Sequence, residues 1–329
     1  MRDLESAISL LELALIKDDH FALGFAWLAG LKALKELDRI TDQNVKDSIL
    51  LLADRAVELD STIVESYLVL SQVYNYVLDD INALRFTYKA LVAESGDSIT
   101  SKVELIRRLG SIYARLGDLD RASWLYDEII AITPGDLDVL HDKFYALAAS
   151  KSVDKLVRLS EQIKAVDPND VFIDIIMTHV LTEQKDFKSL ENIYRKKNRT
   201  SNELIELDQY IFIYAYALRK NGNEAEAVKL ITKFEKLISK NNSWLRAQIL
   251  LFNGRQDQAL GLLAKADIGW YNLTMCLINP VFESVMTDAR FKSFLQRNTD
   301  RTRDLRERIY LLENKGYLPK PEVFFQKGG

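Results

Sequence analysis

The chain has 329 residues, of which 48% are apolar, with 44 lysines and arginines against 48 aspartates and glutamates. Thirteen glycines and five prolines are about half the usual share, which excludes turn-rich β-sandwiches and barrels, while the apolar content excludes a disordered chain. A net charge of −4 supplies no general attraction to phosphate backbones, so direct nucleic-acid binding is not expected. Cys276 stands alone and cannot close an intramolecular disulfide. The N-terminus carries no signal-peptide pattern. The longest apolar stretches, such as Ile211 to Leu218, fall far short of the about 20 residues of a membrane span, so no membrane insertion is expected.

In chain order, Leu4 to Ile16 is predicted as a helix with Leu4, Ile8, Leu11 and Leu15 on one face. Ala7, Leu11 and Ala14, ending in Asp18-Asp19, fit only the second half of a two-helix unit. Two origins are open: a chain cut from a longer protein, or a capping helix that looks like half a repeat. The face left uncovered predicts self-association or fraying at this end. Further along, Tyr67, Leu70-Ser71, Tyr74, Ala83 and Ala90 mark a full unit.

The clearest unit runs from Val103 to Asp136, with Ile106, Leu109-Gly110, Tyr113, Gly117, Ala122, Tyr126, Ile129 and Pro134. Gly110 and Ala122 are small where two antiparallel helices must approach, and larger apolar residues fill the space between. Gly117 permits the turn, and Pro134 stops the second helix. At a period of about 34 residues the second-helix packing position falls on Ala7, Ile49, Ala83, Ala122, Leu156, Leu190, Ala227 and Ala259. Two units are weaker, with Lys143 and Asp174 at positions normally apolar. Ile211, Tyr214-Ala215, Leu218, Gly222, Ala227, Ile231 and Phe234 make a strong one, and Asn253-Gly254, Ala259, Leu263 and Ala266 a short last one.

These residues and their spacing resemble the tetratricopeptide repeat (TPR). The resemblance implies an all-α, right-handed TPR superhelix (an α-solenoid) of about seven to eight helix-turn-helix repeats. The expected layout is a repeat array over 1–267, a C-terminal helical cap over 268–316 and a loose tail over 317–329. Within the cap, Asn279-Pro280-Val281-Phe282 leads to Asp288-Ala289-Arg290-Phe291. Together with Ala53 to Asp60, this is similar to the segment closing TPR arrays in bacterial ToxR/OmpR-type winged-helix transcription regulators and some class III adenylate cyclases. Ala289 stands where that pattern has proline. The resemblance implies a regulatory or sensory role beside an upstream effector domain, in the cytoplasm, or in the periplasm if the chain is excised from a membrane-spanning regulator. A free-standing TPR adaptor and an overlooked enzyme are the alternatives. After this segment, Thr299 to Glu313 is predicted as one more helix.

No catalytic motif stands out, and His20, His141 and His179 are dispersed, so no enzyme activity, metal or cofactor is expected. Arg195-Lys196-Lys197-Asn198-Arg199 reads as a solvated inter-repeat loop, with a phosphate or acidic-partner patch as the alternative. In a TPR stack the first helices line a concave face. There the register places His141, Tyr145, Phe172, Ile175, His179, Phe212, Tyr216 and Arg219, an aromatic groove suited to an apolar peptide or protein helix. Permanent occupation of that groove by Thr299 to Glu313, or by an upstream domain, is the competing expectation. His141 and His179, on adjacent first helices, would sense pH if they met.

Overall fold

The structure is a computed structural model that describes residues 2–36, 42–77, 79–93, 99–198, 210–238 and 242–325. Among them every regular element is helical. Contacts divide the chain into two units, Met1–Tyr113 with Leu305–Gly329, and Ala114–Asp304.

The first unit begins with α1 (Arg2–Lys17), which packs on α2 (Ala22–Lys35). Ile8 is buried, and Leu4, Leu11 and Leu15 are partly covered. Lys32 pairs with Glu12 at 2.8 Å and Lys35 with Glu5 at 3.3 Å. The face expected to be open is thus the packed one. The uncovered row is Leu10, Leu13 and Ile16, on the opposite side. Next come α3 (Gln43–Leu59), whose N-terminus Asp42 caps by accepting from the Asn44 amide, then α4 (Val64–Tyr76) and α5 (Asp80–Ala93). Where α4 and α5 cross, Ser71 Oγ sits 3.1 Å from the Ala83 carbonyl, a distance that only small residues at both positions allow. Most of α6 (Ile99–Arg115) and the last turns of α17 (Ala289–Asn314) complete this unit.

The segment expected to be a loose tail is docked as far as Phe325. Leu318 and Pro321 are buried, and Phe324, in a 3-10 turn over Pro321–Phe324, stacks on Tyr88 with centroids 5.6 Å apart. Residues 326–329 lie outside the described residues.

The second unit runs through α7 (Leu119–Ile132), α8 (Leu137–Ala149), α9 (Val153–Val166), α10 (Val171–Glu183) and α11 (Phe187–Asn198). It continues with α12 (Ile211–Lys220), α13 (Glu224–Glu235), α14 (Ser243–Phe252) and α15 (Gln256–Leu263). The second-helix ladder Ala122, Leu156, Leu190, Ala227 and Ala259 is fully buried. Each pair turns through a left-handed residue: Gly117 (φ 74°), Lys151 (55°), Lys185 (56°), Gly222 (86°) and Gly254 (74°). Asp136, Asp170 and Asn242 cap α8, α10 and α14 through their side chains.

Two expectations change here. Arg195 and Lys196 belong to helix α11 rather than a loop. Arg195 bonds Glu191 at 2.7 Å and Glu226 at 3.1 Å, tying α11 to α13; Arg199 to Asn202 lie outside the described residues. The helix expected at Thr299 is the second half of α17, which starts at Ala289 and runs unbroken for 26 residues. Its first half is basic and seizes a loop. Arg297 donates to the carbonyls of Ala264 and Ala266, Arg301 donates to Ile268 O at 2.7 Å, and Asn298 Oδ1 accepts from Ile268 N at 2.9 Å. Those bonds launch α16 (Trp270–Ile278).

Candidate partner-binding face

All eight residues proposed for the groove lie in the second unit, on α8, α10 and α12. They form two layers. The deep layer is Ile175, His179 and Phe212, all buried, with Phe212 against Phe234 edge-on at 5.6 Å. The rim is His141, Tyr145, Phe172, Tyr216 and Arg219. His141 stacks on Phe172 with centroids 3.8 Å apart, and its Nε2 lies 3.0 Å from Asp170 Oδ2, the carboxylate that also caps α10. Tyr145, 37% exposed, meets Phe172 edge-on at 6.4 Å. Burial pushes its phenol above the usual range, and Asp142 adds to the shift.

Within the second unit, residues 270–285 pack against two of the helices that carry these residues, α8 and α12. Helix α16 packs on α8, and Tyr271 stands at right angles to Tyr145 at 5.1 Å. The Tyr271 and Tyr210 hydroxyls share a hydrogen bond of 2.8 Å, and burial raises both phenols. A 3-10 turn, Pro280–Val285, continues over α12 and α14. Asn279 caps that turn and donates to Gln248 at 3.2 Å; Phe282 stacks on Trp244 at 5.4 Å; Glu283 accepts from the Tyr216 hydroxyl. Phe282 then stacks on Phe291 and Phe291 on Phe294, so the aromatic residues of the closing segment form one internal column.

The charged rim residue is a strut. Arg219 makes a two-pronged pair with Glu224 at 2.7 Å, donates to the Phe252 carbonyl at 3.0 Å, and lies 3.9 Å over the Phe252 ring. That arrangement commits three of its five N–H donors to the protein itself. Each of the two histidines has its own carboxylate. His141 has Asp170, and the fully buried His179 has Glu183 at 3.5 Å, a contact too long for a good hydrogen bond. Cys276 is buried and its thiol is pushed well up by desolvation, so it is held as the neutral form. Among the described residues, three side chains close enough to share a cation occur at Asp18, Asp19 and His20, an exposed turn remote from this face in the sequence.

What the rim offers chemically is aromatic stacking and apolar contact. Sequence patterning missed Trp270, Tyr271, Phe282 and Glu283, because their role depends on where the segment lands. The available signal was aromatic content: a segment with Trp270, Tyr271, Phe282, Phe291 and Phe294 carries too many large rings to lie open to water.

No protein-family model matches the chain, and no curated protein matches it. Solved structures do. The human IFIT1 dimer with m7Gppp-AAAA aligns at a TM-score of 0.57 and 16% identity, over 95% of this chain and 68% of that one. A monomeric IFIT1 mutant with Gppp-AAAA gives 0.57 and 15%, over 91% and 67%. A tetratricopeptide repeat protein from Parabacteroides merdae gives 0.50 and 15%, over 80% of this chain and 98% of that one. Identity this low speaks for the fold alone, and the fold is an all-α solenoid of the TPR type. No described helix is long and apolar enough to cross a membrane.

Proposed function

We propose that this chain is a non-catalytic recognition module that binds a peptide or protein segment on the aromatic rim of its second unit. The observation that carries the proposal is Tyr145: a large ring left 37% exposed, fixed edge-on by Phe172 and Tyr271 above a closed apolar layer. Rigid aromatic anchors of this kind dominate binding energy because little side-chain entropy remains to be lost. His141 and Phe172 extend the rim, while Ile175, His179, Phe212 and Arg219 hold it in place. In its finer form the proposal makes the module the cytoplasmic regulatory part of a bacterial signalling or transcription protein. That form is supported by the resemblance of the closing segment, whose Phe282 and Phe291 build the aromatic column.

The test is to select peptides from a random display library against the wild-type chain and titrate the winners against Tyr145→Ala and Phe172→Ala. Loss of about 2 kcal/mol of binding, roughly 30-fold, with an unchanged melting temperature supports the rim as the site. Selected peptides that bind both variants as tightly as wild type move the site elsewhere. The regulator role is tested separately, by whether the gene encodes a winged-helix or cyclase domain in frame with this chain.

A further inference from the structure

In the first unit, the docked C-terminal segment closes one side of a cleft of about 610 Å³, a volume typical of small-molecule sites. Its walls are aromatic and apolar: Tyr67 and Tyr88 from α4 and α5, facing Tyr317 and Leu318. Three of these four are buried and fixed. The Tyr67 hydroxyl donates to the Ser61 carbonyl at 3.0 Å. The Tyr88 ring stacks on Phe324, and its hydroxyl lies 2.8 Å from that of Tyr113, which donates to Glu313 at 2.8 Å. Because Tyr113 gives its one proton to Glu313, Tyr88 donates to Tyr113. The fourth wall residue, Tyr317, is 73% exposed and stands at the edge.

Two cations, Arg85 and Lys89, line the same cleft from one face of α5, one helical turn apart. Neither makes an ion pair among the described residues. Arg85 donates to the neutral Asn82 amide at 2.8 Å, and Lys89 lies over the rings of Tyr67 and Phe86 at 5.7 and 5.1 Å. The acid that feels Lys89 electrostatically, Asp54, remains beyond ion-pair distance. The cleft therefore combines flat apolar walls with two positive groups that make no ion pair among the described residues.

We propose that this cleft binds a small aromatic monocarboxylic acid, its ring system lying between Tyr67, Tyr88 and Tyr317 and its carboxylate meeting Arg85 and Lys89. The walls fit the ring by area burial, with the exposed Tyr317 supplying the stacking face, and the cations fit the charge. This site is independent of the rim in the second unit, and its ligand is of a different class.

The test uses naphthoate and its neutral isostere naphthamide, titrated calorimetrically into the full chain, wild type, Arg85→Gln/Lys89→Gln and Val92→Glu. All three substituted positions are exposed, Val92 by 72%, so folding is preserved, and circular dichroism checks it. Wild type should bind naphthoate saturably and about tenfold more tightly than naphthamide. The double variant should erase that preference. Val92→Glu, which adds a negative charge to the lining, should weaken naphthoate and leave naphthamide nearly unchanged. Equal binding of the two probes by wild type, no saturable naphthoate binding, or full naphthoate affinity in the double variant would each overturn the proposal.

Discussion

Lys151 and Lys185 hold the same backbone conformation that Gly117, Gly222 and Gly254 hold in the neighbouring repeats. A lysine there places its Cβ against the following carbonyl, which costs roughly 1–2 kcal/mol, partly offset by the smaller freedom of lysine in the unfolded chain. Lys151→Gly and Lys185→Gly should therefore each stabilise the protein by about 0.5–1 kcal/mol, read as an increase in urea midpoint. At Gly117 the same reasoning runs the other way, with a second penalty. A Cβ at Gly117 would lie 2.6 Å from the Trp270 ring, which rests on that turn. Gly117→Ala should lower stability by about 2 kcal/mol or more, because the residue meets both a dihedral and a contact requirement. A neutral outcome for Gly117→Ala would mean that α16 does not rest on this turn.

At the scale of elements, each helix pair depends on the buried ladder at its crossing, small at Ala122, Ala227 and Ala259, and α8 and α12 depend on the segment packed against them. Ala227→Leu should overpack the α12–α13 pair and cost roughly 1–3 kcal/mol. Phe282 is fully enclosed in the aromatic column, so Phe282→Ala should cost about 3–5 kcal/mol. Tyr271→Phe is subtler: it removes one hydroxyl and leaves that of Tyr210 buried without its partner, a loss of about 1–3 kcal/mol. Helix α1 separates its two faces in the same way. Ile8→Ala should cost about 2 kcal/mol or more, whereas Leu13→Gln, on the open row, should stay within about 0.5 kcal/mol. Thermal melts of the five variants check this order. If the open row of α1 is a contact between copies, Leu13→Gln also lowers the sedimentation-derived mass at high concentration.

For the whole molecule, stability is a sum over neighbouring helix pairs, and burial of tyrosines links that sum to alkaline pH. Desolvation raises the phenols of Tyr210, Tyr214 and Tyr271 well above their ordinary value of 10.0. The folded chain keeps them neutral while the unfolded chain ionises them near pH 10. Their contribution is thus fully present below that pH and declines as pH rises through and beyond it. A spectrophotometric titration should show the phenols of Tyr210, Tyr214 and Tyr271 resisting ionisation well past their ordinary range. The last phenolates should appear together with loss of helical circular dichroism. Smooth ionisation of all fourteen tyrosines in a still-helical chain would contradict the burial of the Tyr210–Tyr271 pair.

The sequence by itself determined the repeat helices, their glycine turns and their packing ladder. Gly117, Gly222 and Gly254, the stop after Ile132 and the buried row from Ile49 to Ala259 stood where the period put them. The reason is that a helix pair satisfies itself with residues within about one repeat, so the pattern that builds it is written locally. The rim residues were legible for the same reason, since register alone assigns His141, Tyr145 and Phe172 to one face. What lies over that face was not legible. Tyr271 against Tyr145, Glu283 against Tyr216, and the bond between Tyr113 and Glu313 across 200 residues join segments with no common period. Only the folded chain decides which of several apolar segments wins a given surface. Long-range closure therefore set which aromatics are core, which remain rim, and where the C-terminal residues leave a cleft, because that competition is settled by shape and burial in three dimensions.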